Sequence, residues 1–416
     1  MSKVVVIGGG VIGLCTAYYT AWRGHSVTLL DRAREDHEGC SFGNAGMVVP
    51  SHIVPLAAPG AVSMALKWMP NPESPFWVKP RLDWELFDWG WKFWRASTRT
   101  RVGRAAPFLR DLHLASRTAF EELAAICNNE FGLVQKGLLM LCKTAHTLEE
   151  EGHAAEYARQ LGIPAEVLDA KQTATLDPNV TMDVAGSVYF PKDCHLTPGR
   201  FMAVMKSLCV KAGIQFSYET DVLGFESNGS AISVARTDKG EIKGDEFVLA
   251  GGSWSTSLAG TLGLKIPIQA GKGYSLTLKK PRELPNICSI LTEARIAVTP
   301  MGSALRFGGT MEIAGLNETI NPVRVRGIIR SIPKYYPEFR AEDFEGVQPW
   351  SGLRPCSPDG LPYLGRTSSY RNLCLATGHA MMGLSLGPVT GKLVAAVLSG
   401  EAPAIDLGLL NPDRFM

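Results

Sequence analysis

The pattern of hydrophobic and polar positions is most regular at the start of the chain. A β-branched run, Val4–Ile7, leads into the triplet Gly8-x-Gly10-x-x-Gly13, and a helical stretch follows. A second apolar run, Ser26–Leu30, ends at Asp31. A buried strand, a glycine-rich turn, a helix and a second strand in this order predict a βαβ dinucleotide-binding unit.

Each part of this unit has a physical role toward a dinucleotide. Gly8 permits the tight turn, Gly10 lets the backbone approach a pyrophosphate, and Gly13 lets the helix pack closely on the strand. The helix N-terminus supplies unpaired N–H groups and a partial positive charge for the phosphates. Asp31 is placed to accept hydrogen bonds from an adenosine ribose, and its charge disfavours a 2′-phosphate.

The remaining pattern predicts further helices and short strands. Apolar positions at helical spacing predict helices over 111–130, 147–161, 198–212, 321–335 and 387–398. Alternating or continuous apolar runs predict strands over 214–218, 231–236, 246–250, 274–278, 295–299, 304–308 and 373–377. No internal repeat interrupts the pattern.

These elements predict an α/β chain, α+β overall, with two domains. Nucleotide-fold elements occur at both ends and in the middle, so the cofactor domain is expected to be discontinuous, over 1–50, 193–260 and 345–416. A second domain built on an antiparallel sheet is expected over 51–192 and 261–344. A length of 416 residues is sufficient for two hydrophobic cores.

A proline- and tryptophan-rich segment, residues 50–97, breaks the α/β pattern. It contains six of the nine tryptophans, namely Trp68, Trp77, Trp84, Trp89, Trp91 and Trp94. One interpretation is an irregular arm anchored on the core by aromatic side chains. The other is an apolar surface that contacts a membrane or a partner, since tryptophan favours such interfaces.

Composition narrows the classes of function. A net charge of +2 gives no reason to expect a nucleic-acid partner. Nine scattered cysteines without a C-x-x-C pair favour reduced thiols over a disulfide framework or a metal site, which indicates a cytoplasmic protein. The first strand begins near Lys3 and no long uncharged apolar run follows, so neither a signal peptide nor a membrane-spanning helix is expected.

Three glycine-containing segments outside the Gly8–Gly13 turn, which we call the glycine cradle, contain residues suited to binding or catalysis. Ser41-Phe-Gly-Asn-Ala-Gly46 forms a loop whose backbone could lie against a flat ring. In Gly352-Leu-Arg-Pro, the planar fork of Arg354 suits a carboxylate, and Asp359 nearby could accept from hydroxyl groups. Thr377-Gly-His379 leads into the final helix, whose N-terminus could stabilise negative charge on a reduced flavin.

Taken together, these segments resemble the small-subunit family of bacterial D-amino acid dehydrogenases. That family belongs to the glutathione-reductase-type FAD proteins that include D-amino acid oxidase, glycine oxidase and sarcosine oxidase. The resemblance runs nearly end to end. It also rests on Ala57-Ala-Pro-Gly60, Lys67-Trp-Met69 and Gly271-Lys-Gly-Tyr-Ser-Leu-Thr277.

The resemblance implies FAD as cofactor and assigns expected roles to particular residues. Arg354 is expected to pair with the substrate carboxylate, Tyr274 to form a wall or second carboxylate partner, and His52 and His379 to complete the catalytic set. The expected FAD-binding residues are Gly8, Gly10, Val11, Ile12, Gly13, Asp31, Arg32, Ser41, Asn44, Ala45, Gly46, Met47, Val222, Gly251, Gly252, Trp254, Arg354, Gly378, His379, Met381, Met382, Gly383, Leu384 and Ser385.

The chain departs from the family at two positions. His52 stands where relatives carry tyrosine, and Ala380 stands where they carry a second glycine. The cysteine that links flavin covalently in sarcosine oxidases aligns near Gly352, so non-covalent FAD is expected. A histidine in the pocket changes its polarity, which leaves the preferred side chain open.

The implied reaction is oxidation of a D-amino acid by hydride transfer from Cα to the flavin, with a quinone or respiratory-chain acceptor. The amine must be neutral, and positioning by Arg354 is the main task of the protein. One alternative is a dehydrogenase of cyclic D-imino acids such as D-proline or hydroxy-D-proline. Others are a non-catalytic FAD-binding subunit and a nicotinamide-dependent enzyme. Contact with the inner face of the cytoplasmic membrane, a homo-oligomer and a partner subunit all remain open.

Overall fold

The computed structural model describes residues 1–69 and 71–415 and places their strands in two large and two small sheets. The strands are β1 (Lys3–Ile7), β2 (Ser26–Leu30), β3 (Met47–Val48), β4 (Phe76–Val78), β5 (Leu138–Cys142), β6 (Glu166–Asp169), β7 (Gly186–Phe190), β8 (Cys194–His195), β9 (Gln215–Ser217), β10 (Val222–Asn228), β11 (Ala231–Thr237), β12 (Gly240–Lys243), β13 (Glu246–Leu249), β14 (Gln269–Leu278), β15 (Cys288–Leu291), β16 (Ile296–Met301), β17 (Ala304–Ile313), β18 (Trp350–Cys356), β19 (Tyr363–Arg366) and β20 (Leu373–Thr377).

The helices are α1 (Val11–Trp22), α2 (Ala61–Trp68), α3 (Trp84–Ala96), α4 (Arg99–Ile126), α5 (Ala145–Gln160), α6 (Ala170–Leu176), α7 (Pro198–Lys211), α8 (Ser255–Gly260), α9 (Pro322–Ser331) and α10 (Gly383–Leu398). The alternation of strands and helices confirms the predicted α/β fold class.

The first large sheet has the order β19-β20-β13-β1-β2-β9, and only its β19–β20 pair is antiparallel. Its central strand, β1, is almost fully buried, because Val4 and Val6 cluster with helices α1 and α10 while Val5 and Ile7 cluster with strands β10 and β11. Helix α1 packs on α10, where an added Cβ on Gly391 would lie 2.5 Å from the Cys15 carbonyl oxygen. This close contact fixes the orientation of the glycine-rich turn before α1.

The second large sheet has nine strands and carries the opposite side of the candidate site. Eight strands run in the order β18-β14-β17-β16-β15-β5-β7-β6, and β4 pairs with β17. Most pairs are antiparallel, whereas β15–β5 and β17–β4 are parallel. Strand β18 lies in this sheet beside β14, although the sequence analysis placed residues 345–416 in the cofactor domain. The chain returns to the first sheet only at β19, so that predicted boundary comes too early.

The predicted irregular arm is wrong for much of residues 50–97. The segment forms helix α2, strand β4 and helix α3. Asp83 caps α3 by accepting hydrogen bonds from the Glu85 and Leu86 amides, which satisfies N–H groups of the first turn. Helix α3 begins after the last of the prolines, is capped by Asp83 and buries Trp89 and Ala96, so the prolines do not interrupt it.

Two predicted helices begin too late. Helix α4 begins at Arg99 rather than 111 and contains Pro107, and α10 begins at Gly383 rather than 387 and contains Pro388. Both helices are held by packing against the core, which outweighs the local cost of proline. The segment Ala380–Leu398 is long and apolar enough to cross a membrane, but 72% of its most apolar 18-residue stretch is buried inside the protein.

Candidate active site

A cavity of about 1890 Å³ is lined by both large sheets and by α2 and α3. Small-molecule pockets commonly measure about 300–1,000 Å³. The cavity therefore has room for a dinucleotide together with a second, smaller ligand.

All nine cysteines are free, which agrees with the expectation of reduced thiols.

Most of the residues expected to bind cofactor or substrate line this one cavity. They are Gly8, Gly10, Val11, Ile12, Asp31, Arg32, Ser41, Asn44, Ala45, Met47, His52, Val222, Gly251, Gly252, Trp254, Tyr274, Arg354, His379, Met381, Met382, Gly383 and Leu384. Four expected residues, Gly13, Gly46, Gly378 and Ser385, do not line it. The three glycines support neighbouring turns, and Ser385 packs inside the protein.

The glycine cradle has the shape that a pyrophosphate requires. Gly8 has φ +111°, and a Cβ there would lie 2.5 Å from the Ala250 carbonyl oxygen, so no other residue fits. A Cβ on Gly10 would meet nothing closer than the Ser41 Oγ at 3.6 Å, so this face is open. The N-cap residue Gly10 makes no side-chain capping bond, and no acidic residue lies in the first turn of α1. The Val11 amide donates to the Ser41 Oγ at 3.0 Å, and the other amides of the first turn can receive a phosphate.

Asp31 holds the turn and faces the cavity at the same time. Its Oδ2 accepts a hydrogen bond from the Gly9 amide at 2.5 Å, and its Oδ1 accepts one from the Ala33 amide at 2.8 Å. A carboxylate can accept about four hydrogen bonds, which leaves capacity for a ribose hydroxyl. Next to it, the Arg32 guanidinium stacks 3.7 Å from the Trp254 ring centroid and forms a flat wall.

We expect Asp31→Ala to reduce FAD retention without changing which substrate is preferred. The change removes the acceptor for the Gly9 amide as well as the expected ribose contact. The flavin-to-protein ratio after gel filtration measures the loss. Asp36→Ala, which removes a largely exposed carboxylate a few residues further along, is the matched control. Full FAD content with an altered substrate preference would contradict the placement of Asp31.

An arginine that the sequence analysis did not assign to the cofactor site holds the 42–44 loop. The Arg306 Nη1 donates to the carbonyl oxygens of Phe42 at 2.9 Å and Asn44 at 2.8 Å. Asn44 in turn accepts a hydrogen bond from the Gly46 amide at 2.8 Å. Burial lowers the pKa of Arg306 to about 10. Arg306 therefore holds the 42–44 loop against the cavity. This contact could not be predicted from the sequence because β17, which carries Arg306, is more than 250 residues from the loop.

Trp350 is a second functional candidate that the sequence analysis missed. Its ring fills the space beside two glycines, since a Cβ on Gly43 or on Gly352 would lie 2.1 Å from ring atoms. Its Nε1 donates to the Glu38 carbonyl oxygen at 2.9 Å. Gly352 is the position where a flavin-linking cysteine was considered, and here it is covered by the indole.

Arg354 reaches the cavity wall without an acidic partner among residues 1–69 and 71–415. Its Nη1 donates to the Thr310 carbonyl oxygen at 2.7 Å. Thr310 has φ +63°, a strained conformation for a β-branched residue. A Cβ on Gly273 would lie 2.1 Å from the Arg354 Nη2, so the bare backbone makes room for the guanidinium. Burial lowers the pKa of Arg354, and an anionic ligand would compensate for it.

Tyr274 is a wall of the cavity, but the structure argues against its expected role as a carboxylate partner. Its hydroxyl donates to the Glu312 Oε2 at 2.5 Å and accepts a hydrogen bond from the Asn321 amide at 3.3 Å. Its single proton is therefore already used inside the protein. Burial first, and then the hydrogen bond to Glu312, raises the pKa of Tyr274.

His52 contributes a neutral imidazole to the cavity wall, and His113 lies near it. Burial, followed by the positive charge of Arg295, lowers the pKa of His52 to about 4. Burial, followed by the nearby His52, lowers the pKa of His113 to about 3. Both rings are therefore uncharged at neutral pH and offer nitrogen atoms rather than charge.

His379 lines the cavity and keeps one ring nitrogen, Nδ1, without a hydrogen-bond partner among the described residues, whereas Ser385, expected to contact the cofactor, does not line the cavity. The buried His379 ring shares a 3.0 Å hydrogen bond between its Nε2 and the Thr390 Oγ1. Ser385 accepts from the Val49 amide at 3.1 Å and lies 3.2 Å from the His113 Nδ1. Asp359 is likewise bound, by Arg414, and does not line the cavity.

Ala380 illustrates the cost of one departure from the family pattern. It has φ +47°, in the left-handed region where glycine is preferred. An alanine there is strained by roughly 1–2 kcal/mol relative to glycine. The turn nevertheless places Met381, Met382 and Gly383 on the cavity wall.

Comparison with known proteins gives the family directly. The sequence model of the family described as "FAD dependent oxidoreductase" matches residues 3–397. The chain is 32% identical to a D-amino acid dehydrogenase of Bradyrhizobium diazoefficiens and 33% identical to one of Methylobacterium nodulans, covering at least 99% of each chain in both alignments.

Solved structures show the same fold. Glycine oxidase from Geobacillus kaustophilus superposes with a TM-score of 0.79 at 24% identity, with 100% of both chains covered. L-proline dehydrogenase from P. horikoshii superposes with a TM-score of 0.74 at 18% identity, covering 100% of this chain and 97% of the other. The cradle, the open helix N-terminus and these matches lead to one conclusion: the chain belongs to the FAD-dependent oxidoreductase family.

Proposed function

We propose that this protein is an FAD-dependent dehydrogenase of D-amino acids. The observation that carries the proposal is Arg354, a guanidinium in the wall of the FAD cavity with no acidic partner among residues 1–69 and 71–415. A planar donor fork in such a place is suited to an α-carboxylate. Full-length relatives named D-amino acid dehydrogenase support the stereochemical class of substrate.

The protein's contribution to this reaction is binding and orientation. Arg354 binds the carboxylate, and the strained Thr310 carbonyl holds the guanidinium in one direction. The Tyr274 ring and apolar cavity residues such as Met47 and Met382 exclude water from the amine and Cα. FAD, held by the cradle and by Asp31, supplies the hydride acceptor. Positioning of this kind accounts for a large part of catalysis when the cofactor carries the chemistry.

An anaerobic substrate screen tests the proposal. The holoenzyme is mixed with D-amino acids, their L-enantiomers and glycine, and flavin absorbance is followed without oxygen. We expect bleaching by D-amino acids and little by the L-enantiomers. A flavin that no amino acid bleaches would favour a non-catalytic FAD-binding subunit instead.

Cyclic D-imino acids such as D-proline and hydroxy-D-proline are the second candidate substrates. The observation that favours them is the His52 imidazole, which lines the cavity at a position where the family resemblance leads us to expect tyrosine. A smaller, uncharged polar ring leaves space and a hydrogen-bonding atom for a ring substrate. In the same screen, faster bleaching by cyclic substrates than by D-alanine or D-phenylalanine would select this alternative.

We further propose that a quinone is the electron acceptor and that α2 and α3 contact the inner face of the cytoplasmic membrane. Exposed apolar side chains project from this pair and the segment between them: Leu66, Leu82, Trp84, Phe87, Trp91 and Trp94. Leu66 and Phe87 also line the cavity, so this surface adjoins the site. Tryptophan and leucine side chains favour the lipid interface, from which an apolar acceptor would enter.

Quinone analogues and dyes should therefore reoxidise the flavin much faster than oxygen does. Trp84→Ala with Trp91→Ala and Trp94→Ala should weaken binding to lipid vesicles. Trp89 is left unchanged because it is buried and its Nε1 donates to the Cys356 carbonyl oxygen. Trp22→Ala, a change at an exposed tryptophan on α1, is the control. Oxygen consumption as fast as dye reduction, or equal vesicle binding, would overturn the respective proposal.

FAD should be held without a covalent bond. The 2.1 Å approach of the Trp350 ring to a Cβ on Gly352 leaves no space for a linking side chain there. Acid or heat should thus release all flavin into the supernatant. Flavin that stays with the precipitated polypeptide would contradict this.

A further inference from the structure

A hydrogen-bonded chain leads from the cavity wall to a fully buried carboxylate. The Nδ1 of His52 lies 3.1 Å from the Ser51 Oγ, and the Ser51 Oγ donates to the Asp193 Oδ2 at 2.5 Å. The Ser51 amide donates to the other carboxylate oxygen, Oδ1, at 3.0 Å. Asp193 is 0% exposed, and no ion pair within 4 Å involves it among residues 1–69 and 71–415.

The donors and acceptors in this chain fix the position of the imidazole proton. The Ser51 hydroxyl has one proton, and it is directed to Asp193. Ser51 can therefore only accept from His52, which places the imidazole proton on Nδ1. The His52 Nε2 then carries a lone pair, and its ring, which lines the cavity, makes its hydrogen bond within the described residues through Nδ1.

We propose that His52, Ser51 and Asp193 form a proton-accepting chain that takes the ammonium proton of the substrate before oxidation. This inference rests on the proposed function, because it requires an amino acid in the cavity. His52 is the residue that touches the substrate. Ser51 and Asp193 act through it as positioning residues and proton acceptors.

The transfer balances without any further reactant. A substrate N–H bond breaks as an N–H bond forms at the His52 Nε2. The Nδ1 proton passes to the Ser51 Oγ, and the Ser51 proton passes to the Asp193 Oδ2. A cationic ammonium and an anionic carboxylate become two neutral groups, and His52 ends as the other neutral tautomer. The amine lone pair is then available to form the C=N bond as hydride leaves Cα for the flavin.

The surroundings make Asp193 a better proton acceptor than an exposed carboxylate. Burial raises the pKa of Asp193 to about 7, against the lowering effects of its Ser51 hydrogen bonds and of Arg117. Arg117 pairs instead with Glu121 at 3.0 Å. The buried thiols of Cys194 and Cys288 also lie near Asp193. On the cavity side, burial first and then the positive charge of Arg295 lower the pKa of His52 and favour its neutral form, and His113 lies near it.

Single-turnover flavin reduction across a range of pH tests the chain. Ser51→Ala and Asp193→Asn should each slow reduction by about 100-fold near neutral pH, the size expected for loss of general base catalysis. The rate should recover as rising pH deprotonates the substrate in solution. Ser51→Thr keeps the hydroxyl and should retain most of the wild-type profile. Cys288→Ser, a change at a buried neighbour of Asp193 outside the chain, should leave the profile unchanged.

A measurement on the unaltered holoenzyme does not depend on whether the variants fold. 2-Aminoisobutyrate has no Cα–H bond and cannot be oxidised, and its binding is followed by the shift in flavin absorbance. Infrared difference spectra should show a protonated carboxylic acid band on binding. Carbon-13 labelling of aspartate side chains should shift this band, and Asp193→Asn should remove it.

The outcomes distinguish failure of the proton-accepting chain His52–Ser51–Asp193 from failure of the proposed function. Binding of 2-aminoisobutyrate without the carboxylic acid band overturns the chain. A wild-type pH profile in Ser51→Ala does the same, provided that D-amino acids bleach the wild-type flavin. If no D-amino acid or D-imino acid bleaches the wild-type enzyme, the proposed function is overturned, and the proton-accepting role of His52, Ser51 and Asp193 is overturned as well.

Discussion

Replacing Arg354 by alanine will raise the KM for the D-amino acid strongly while FAD content stays near that of the wild type. Removing one partner of a buried charge pair costs about 2–5 kcal/mol, on the order of 30- to 5,000-fold in KM when KM reports binding. FAD content should persist because the cradle, Asp31 and Arg306 lie on other elements. Steady-state kinetics with an artificial dye, together with the flavin-to-protein ratio, measure both quantities.

A lysine at the same position separates charge from geometry. Arg354→Lys keeps a positive charge but loses the planar fork and the 2.7 Å hydrogen bond to the Thr310 carbonyl in its present form. We expect an intermediate KM. An unchanged KM in Arg354→Ala would move the carboxylate site to Arg295, an exposed cationic side chain of the same cavity. Arg306 is excluded as that alternative because its guanidinium already binds two loop carbonyls.

The dinucleotide cradle could be predicted from the sequence because its determinants are local. The strand Ser26–Leu30 has the predicted bounds, and β1 begins one residue before the predicted run Val4–Ile7. Leu373–Thr377 also has the predicted bounds. Buried parallel strands appear as continuous apolar runs, and glycines at fixed spacing mark the turns between them.

The other half of the cavity could not be predicted in the same way because its contacts are distant in the sequence. Arg354 depends on a carbonyl 44 residues away, whose direction follows from the strained φ of Thr310. Ser51 and Asp193 are 142 residues apart and meet because β3 pairs with β8. No local pattern encodes either contact. His52 could be identified from the sequence as a pocket residue, but nothing in the sequence connects it to a buried carboxylate.

Side-chain roles were harder to predict than positions. Tyr274 and His379 lie at the cavity as expected, but the Tyr274 hydroxyl donates to Glu312, and the His379 Nε2 is bonded to Thr390, which leaves only its Nδ1 without a partner among the described residues. The sequence could not show those partners because they come from neighbouring elements of the folded protein. The difference between lining a cavity and being available to a ligand is thus set by packing.

Gly13→Ala should produce the second large effect, on cofactor retention and stability together. An added Cβ would lie 1.8 Å from the Gly8 carbonyl oxygen, well inside van der Waals contact. Helix α1 would have to move away from β1, which costs about 1–3 kcal/mol or more in a well-packed core. The displaced helix N-terminus would also be misplaced for the pyrophosphate. We expect at least about a tenfold weaker hold on FAD and a Tm lower by several degrees.

The matched control is Gly103→Ala, also at a helical glycine. A Cβ on Gly103 would meet no atom within 4 Å, and the residue lies inside α4. Alanine is favoured over glycine in a helix by about 1 kcal/mol, so this variant should be as stable as the wild type or slightly more. Thermal unfolding and flavin content of the two variants are compared side by side. Because both substitutions carry the same intrinsic helix preference, the difference between them isolates the contact of Gly13 with Gly8. Full FAD content and an unchanged Tm in Gly13→Ala would show that α1 can move off β1 at little cost, and the close helix–strand contact would then not be what positions the cofactor.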